Sequence, residues 1–288
     1  MPANSILRPT SRTELVAALA LDGRKLLVAG GTDIVMRARR LNPGEVTVID
    51  LSRASFLKES SRTSEGLRVG AGLTMSELAG PGPVRESASV LAMAATRVGS
   101  TQIRNLATIG GNVASAAQCA DTIPALIALG AEAELVCGSG TTRRVAVAEL
   151  VLGIGKTAIE SDEAIVAFLV PKLRLGLAGG FGKIGSRKAV TIAKINGAGL
   201  FRFEGGRVKE AHLAFGSLGE RAFEAAKVAR ALEGMAVAEL ADEAVLLPFV
   251  EMVDAAIPGR LSLPYKRSAV RAVAAQILEQ ARAAEGGL

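Results

Sequence analysis

Aromatic side chains are scarce in this sequence: no Trp, one Tyr and eight Phe among 288 residues. A groove that grips single-stranded nucleic acid by stacking bases draws on more aromatic faces than this. Cysteine and histidine are scarcer still. Cys119, Cys137 and His212 are the whole set, too few for an iron–sulfur cluster held by four thiolates or a tetrahedral zinc site. Two thiols in a chain with no mark of secretion are expected to stay reduced. The opening MPANSILRPT lacks the apolar core of a signal peptide. Every apolar run is broken by Gly or charge well short of the ~18 residues a membrane helix needs. The expectation is a cytoplasmic protein with no transmembrane segment.

What is present is apolar mass and positive charge. Hydrophobic residues make up 49% of the chain, the net charge is +6 and the pI is about 9.6. The length suits two domains of ordinary size or one large one with an appendage. Lys and Arg are spread along the chain apart from pairs such as Arg39-Arg40 and Arg143-Arg144. Spread basic charge suits anionic ligands or an acidic partner better than nucleic acid.

Two phrases organise the chain. KLLVAGGTDI at 25–34 runs a strand into Gly30, Gly31, Thr32 and Asp33. About eighty residues later, within VGSTQIRNLATIGGNVASAAQCADTIPALIALGAEAEL at 98–135, Thr108 precedes Gly110, Gly111 and Asn112. A small-residue loop then leads to Asp121 and Thr122, and a helix is expected to open at Pro124. Glycine permits φ > 0 and close backbone approach, and successive N–H groups make a nest for phosphate. Thr32 or Thr108 adds a hydroxyl donor. A carboxylate cannot sit on phosphate, so Asp33 and Asp121 are expected to face backbone amides or sugar and ring donors. Two Gly-Gly turns with such neighbours are able to close on one phosphate-bearing ligand.

Around these phrases the pattern is α/β. Ser11 and Glu14 make a capping box for a helix over 10–21. KLLVA, VTVIDL at 46–51 and LRVGA at 67–71 read as strands. Thr74 with Glu77 caps a short helix, and a longer one runs from Pro83 to about Val98. AEAELVC, TRRVAVAEL and AIVAFLVP at 164–171 read as strands, and 172–180 as a linker or hairpin. From 181 the chain reads as three strands with a turn at Glu204-Gly205-Gly206. Helices follow near 219–233, 237–255 and 268–284, the last after a loop holding Pro258 and Pro264. The second half is thus an antiparallel sheet packed by helices.

Three motifs and one thiol are set aside. GIGKT at 153–157 has Leu150 where a P-loop needs glycine. Gly180, Gly182 and Gly185 spell G-x-G-x-x-G, but the strand-like SRKAVTIAKI follows, not a helix. His212 lies in an alternating strand and reads as structural, with no nearby carboxylate or nucleophile to build a triad. Cys119 sits in the small-residue loop, with no neighbouring base in sequence to activate it, although it could lie near a ligand.

Read together, AGGTDI at 29–34, TIGGN at 108–112 and CADT at 119–122 resemble the two flavin-binding loops of the FAD subunits of molybdenum hydroxylases. VGSTQIRNLATIGGN, FGKIGSRKAVTIAKIN and GRLSLPYKRSAV at 259–270 extend the resemblance over nearly the whole chain. This family includes the carbon monoxide dehydrogenase medium subunit and the FAD subunits of xanthine and nicotinate dehydrogenases. The resemblance implies an α+β chain: a two-part FAD-binding domain of the vanillyl-alcohol oxidase/p-cresol methylhydroxylase type over 1–175, with subdomains about 1–55 and 56–175, then an α+β domain over 176–288 with a three-stranded antiparallel sheet. It implies FAD bound without a covalent link.

By the same resemblance, Val28, Ala29, Gly30, Gly31, Thr32, Asp33, Ile34 and Val35 would wrap the pyrophosphate and ribityl chain. Thr108, Gly111, Asn112 and Ser115 would hold the diphosphate from the other side. Val98, Gly99 and Ile103 would line the cofactor, with Asp121 in polar contact. Ile165 and Lys183 would lie near the isoalloxazine. Ala120 departs from relatives that carry serine there, and two cysteines exclude the inserted cluster of the benzoyl-CoA reductase relatives. The implied role is electron transfer within an oxidoreductase. A large molybdenum-cofactor subunit and a small [2Fe-2S] subunit are expected as partners in a heterotrimer or a dimer of them. NAD, oxygen or a quinone is the expected acceptor. The alternatives are a stand-alone flavin oxidoreductase of the same fold and a basic nucleotide- or nucleic-acid-binding protein.

Overall fold

The computed structural model describes residues 5–34, 46–187 and 190–285. Three sheets carry the architecture. A small parallel sheet holds β1 (Ser5–Leu7), β2 (Lys25–Val28) and β3 (Thr47–Asp50), with β3 in the middle. Helix α1 (Arg12–Leu19) covers it, with Leu15 and Leu19 fully buried. Its cap is half the expected box. Ser11 accepts the Glu14 N–H, but the Glu14 carboxylate takes the N–H and hydroxyl of Thr10.

The second sheet is antiparallel, in the order β4 (Ser60–Arg62), β5 (Gly66–Gly70), β10 (Glu163–Pro171), β6 (Glu132–Cys137), β7 (Thr142–Ala146). Central β10 is buried along almost its whole length, and its two faces serve different cores. Ala164 and Val166 pack with α1 and the small sheet, while Ile165, Phe168 and Val170 pack with the helices on the other side. A register shift between Ile165 and Ala167 accommodates both.

Those helices differ from the sequence reading at several points. The helix expected from Pro83 to Val98 is two, α3 (Pro83–Ser87) and α4 (Ser89–Thr96), broken at Ala88 with φ −134° and ψ 53°. The Thr74–Glu77 box does cap α2 (Met75–Ala79). Helix α5 (Thr101–Arg104) and α6 (Ile109–Ala114) follow, and α7 (Thr122–Ala128) starts two residues before Pro124. The segment TRRVAVAEL is a strand only to Ala146; a short helix, α8 (Val147–Leu150), follows. Gly153 and Lys156 face each other in the small hairpin of β8 (Val151–Gly153) and β9 (Lys156–Thr157), which leaves GIGKT no phosphate-loop geometry.

The C-terminal sheet joins β11 (Ala178–Gly185), β12 (Ala193–Glu204) and β13 (Arg207–Gly216), antiparallel and consecutive. A two-residue edge strand, β14 (Phe223–Glu224), adds a fourth to the three expected. The β12–β13 turn uses Gly205 and Gly206 at φ +57° and +71°, both central positions of a hairpin turn with positive φ. Helices α9 (Ala226–Leu232), α10 (Leu247–Ala256) and α11 (Leu263–Glu285) cover one face. Pro264 is not in a loop; it sits in the first turn of α11, where its missing N–H costs no hydrogen bond. Among the described residues no helix is long and apolar enough to cross a membrane.

Candidate functional site

The two glycine phrases meet. A methyl group on Gly30 would lie 1.9 Å from the carbonyl oxygen of Leu106, so the first loop rests directly on backbone leading into the second. Gly31 has φ +68°, a conformation that favours glycine. The second pair is not a turn. Gly110 and Gly111 lie in the first turn of α6, capped by Thr108, whose hydroxyl oxygen accepts the Gly111 N–H at 3.2 Å. Gly110 is small for packing, since a Cβ there would meet Ala71 at 2.9 Å. In place of the two expected Gly-Gly turns there is one turn, with Gly31 left-handed, opposite a capped helical turn.

Between the loops lies a cleft of about 220 Å³, lined by Ala29, Gly30, Gly31, Thr32, Asp33 and Ile34 from one side and Thr108, Gly111, Asn112 and Ser115 from the other. Among the described residues its lining holds no Lys or Arg. A diphosphate in it depends on backbone N–H groups and hydroxyls, and the glycines expose that backbone. This donor set fits the diphosphate of a dinucleotide. Asn112 is oriented by Thr122, whose hydroxyl donates to Asn112 Oδ1 at 2.6 Å, which leaves the Asn112 NH2 to donate. A neighbouring cavity of about 310 Å³ shares Ala29, Thr108 and Gly111 with the cleft and is walled on its far side by Ile165. Val28 ends β2 between Leu27 and Ala29, which line both spaces. Val35 lies outside the described residues.

The other predicted residues gather elsewhere. Asp121 and Lys183 form an ion pair in which both side chains are about 95% buried. Lys183 Nζ also donates to the Arg97 carbonyl at 2.9 Å. Asn196 Nδ2 donates to Asp121 Oδ1 at 2.9 Å and to the Ala120 carbonyl at 3.3 Å. The Asp121 carboxylate is thus held by the side chains of Lys183 and Asn196 rather than by backbone amides, the first of the two kinds of donor expected, the other being sugar and ring donors. Burial raises its pKa, and the Lys183 ammonium works against that rise. This pair joins the start of α7 to β11. Lys183, Gly99 and Arg104 line a third cavity of about 830 Å³. Val98 is half-buried against the first core and Ile103 is at the surface, touching Gly99. Ile165 and Lys183, both expected near the isoalloxazine, border neighbouring spaces of different lining.

Asn196 and Arg104 were not foreseen. Asn196 had a signal: a lone amide inside the apolar strand INGAGLF must find partners when buried. Arg104 donates to the carbonyls of Val98 and Gly99 at 3.2 and 3.1 Å and to Thr101 Oγ1 at 3.1 Å, which fixes the loop before α5. Nothing in its sequence neighbourhood announces that. His212 does have a carboxylate neighbour, contrary to expectation: Glu210, two residues away on β13, faces its Nε2. The side chains share one face because strand residues alternate. The Cys119 thiol is pushed up by burial and then by Asp121 and Asp33.

The comparisons with known proteins follow this geometry. The model for the FAD binding domain in molybdopterin dehydrogenase matches residues 2–173, and that for the CO dehydrogenase flavoprotein C-terminal domain matches 182–281. The xanthine dehydrogenase FAD-binding subunit of Escherichia coli O157:H7 is 30% identical over 213 residues, which cover 73% of this chain and 72% of that one. The chain is similar to a chain of a Cu,Mo-CO dehydrogenase crystal structure, with a TM-score of 0.86, 26% identity and coverage of 99% and 100%. A chain of quinoline 2-oxidoreductase from Pseudomonas putida 86 matches with a TM-score of 0.86, 25% identity and coverage of 99% and 98%. The chain therefore belongs to the FAD-binding flavoprotein subunits of molybdopterin dehydrogenases, oxidoreductases of the xanthine dehydrogenase type.

Proposed function

We propose that the chain carries FAD without a covalent link and moves electrons inside a molybdenum hydroxylase. The observation that carries this reading is the cleft with a backbone-rich wall, where the Gly30–Gly31 loop rests on the segment leading to Thr108. Bound FAD supplies the exchange between one-electron donors and a two-electron acceptor. The residues supply position. Ala29–Ile34 present backbone donors to the diphosphate, and Gly111, with no side chain, lets it approach the capped turn. Thr108 already accepts from Gly111 and keeps its own proton to donate. Asn112 adds its NH2, and Ser115, whose hydroxyl donates to the Asn112 carbonyl at 2.9 Å, borders the diphosphate. Val28 and Ile165 border the glycine side of the cofactor; Val98, Gly99 and Ile103 border the Lys183 side. The Asp121–Lys183 pair sets the charge there and holds the FAD-binding part, taken as residues 1–175 with a division near 55, against the part from 176 onward.

Two cysteines cannot ligate a [2Fe-2S] cluster with four thiolates. The donors to FAD therefore belong to a small cysteine-rich subunit, and the molybdenum cofactor to a large one, in a cytoplasmic heterotrimer or a dimer of heterotrimers. Purification of the tagged chain from its own host tests this. The expected outcome is a complex with stoichiometric iron and molybdenum on two further chains. A monomer that turns over a substrate by itself would instead establish a stand-alone flavin oxidoreductase.

A further inference from the structure

The loop at 115–121 joins the glycine cleft to the Asp121–Lys183 pair: Ser115 lines the cleft and Asp121 ends the loop. Its sequence, SAAQCAD, holds one long side chain able to tie it down, Gln118. Ala116 is 1% exposed and has φ +44°, a left-handed conformation that an alanine keeps only where its surroundings impose it. The imposing contacts come from distant segments. The Gly155 N–H donates to the Ala116 carbonyl at 2.9 Å. The Ser217 N–H donates to the Gln118 carbonyl at 3.1 Å, and the Gln118 NH2 donates in return to the Gly219 carbonyl. Asn196 then takes the Ala120 carbonyl and Asp121. Cys119 lies between these clamps, and its thiol feels Asp33 of the glycine loop as well as Asp121.

The strap at 217–219 is built for the contact. Ser217 is buried and also left-handed, with φ +61°. Gly216 before it has no room for a side chain, since a Cβ would meet Asn196 Oδ1 at 2.4 Å and Pro124 Cγ at 3.1 Å. The Ser217 carbonyl accepts from Lys266 Nζ, in the first turn of α11. Lys266 gives up part of its hydration there, and burial lowers its pKa. The phrase GRLSLPYKRSAV thereby gains a task, because its lysine anchors the strap. One strained residue lies on each side of a reciprocal pair of hydrogen bonds between the two parts of the chain, and such strain collects at ligand sites.

We infer that Gln118 is a positioning residue for the flavin site: held by the 217–219 strap, it lets the C-terminal part of the chain set where Ser115 and Asp121 stand against the cofactor. The inference rests on the proposed FAD role and adds a linkage to it. Docking of the C-terminal part and binding of FAD strengthen each other by the same factor.

The test uses the full chain and three variants. Gln118→Leu removes the donor at similar size. Lys266→Met removes the anchor of the strap without touching the loop. Ser217→Gly keeps the backbone N–H and suits the left-handed φ. FAD affinity is read by absorbance well below the Tm of each variant, where all are folded. Gln118→Leu is expected to weaken FAD about tenfold, the loss of one buried hydrogen bond with its partner left unpaired. Lys266→Met is expected to weaken it about threefold, and Ser217→Gly by less than about twofold. The second readout is iodoacetamide labelling, with Cys137 as the internal reference. In the flavin-free chain Gln118→Leu is expected to speed labelling of Cys119 about fivefold and leave Cys137 unchanged, because only the loop opens. Saturating FAD is expected to slow Cys119 again.

Unchanged FAD affinity in Gln118→Leu overturns the inference. So does weaker FAD binding with no faster labelling of Cys119, because the loop has then not moved. Should Gln118→Leu fail to fold, Lys266→Met carries both readouts at about threefold, and no change in either one overturns the inference. Failure of the underlying role looks different: the unaltered chain takes up no flavin. Labelling of Cys119 in the variants then still decides whether the strap holds the loop.

Discussion

Gly30 and Gly180 each leave room for a carbonyl oxygen, but for different neighbours. At Gly30 an added Cβ would meet Leu106 O at 1.9 Å, and the closeness brings two loops together around a cleft. At Gly180 it would meet Ile277 O at 2.2 Å, and at Gly182 Val273 O at 2.5 Å. Here the backbone of α11 lies across β11. Two strand residues advance about 6.7 Å and four helix residues about 6 Å, so alternate glycines meet successive turns. The G-x-G-x-x-G spelling is a packing track for a helix, while the shorter Gly-Gly lines a cavity. What distinguishes them is the partner backbone: an element of the core in one case, another loop in the other. The strand also has two employments. Gly180 and Gly182 face α11, while Phe181 packs in the first core and Lys183 reaches Asp121.

The comparison breaks most visibly at Lys183. Removing one member of a buried pair leaves a charge without a partner, at about 3–5 kcal/mol. Lys183→Met and Asp121→Asn are each expected to lose that much in urea melts, and Asp121→Leu with Lys183→Met to recover most of it. Unchanged stability in Lys183→Met would show that the face of β11 opposite the helix holds nothing.

The glycines give a smaller, double effect. Overpacking costs about 1–3 kcal/mol. Gly180→Ala is expected to lower Tm by about 2–4 °C per kcal/mol and to leave FAD affinity near wild type. Gly30→Ala is expected to weaken FAD about 5- to 150-fold with a lesser change in Tm. Equal effects on both readouts by both variants would erase the distinction.

The smallest effect concerns the two thiols. Burial and the Asp121 carboxylate raise the Cys119 pKa, and the Ser139 hydroxyl lowers that of Cys137. The thiolate is the reactive form. Iodoacetamide at pH 7.5 is therefore expected to label Cys137 first, by mass spectrometry, with the gap narrowing as pH rises towards the Cys119 pKa. Faster labelling of Cys119 would show the loop at 116–121 to be open.

Much of this was legible in the sequence because it is local. The capping box at Thr74, the strand KLLVA, the Gly205–Gly206 turn and the buried strand at 164–171 all declare themselves within a few residues. The partnership of the two glycine phrases was legible from their shared chemistry, although the second opens a helix because Thr108 caps it. The rest depended on distant contacts. Ala88 breaks a helix that propensity would continue, since its backbone departs from helical φ and ψ between α3 and α4. The Asp121–Lys183–Asn196 cluster draws on three elements separated by as many as 75 residues.

The central claim is tested most directly by titrating the purified chain with FAD and following visible absorbance, then releasing the flavin with acid. The account predicts saturation at one FAD per chain and intact FAD in the acid supernatant. No uptake at saturating FAD, with the iron–sulfur and molybdenum subunits supplied as well, would contradict it.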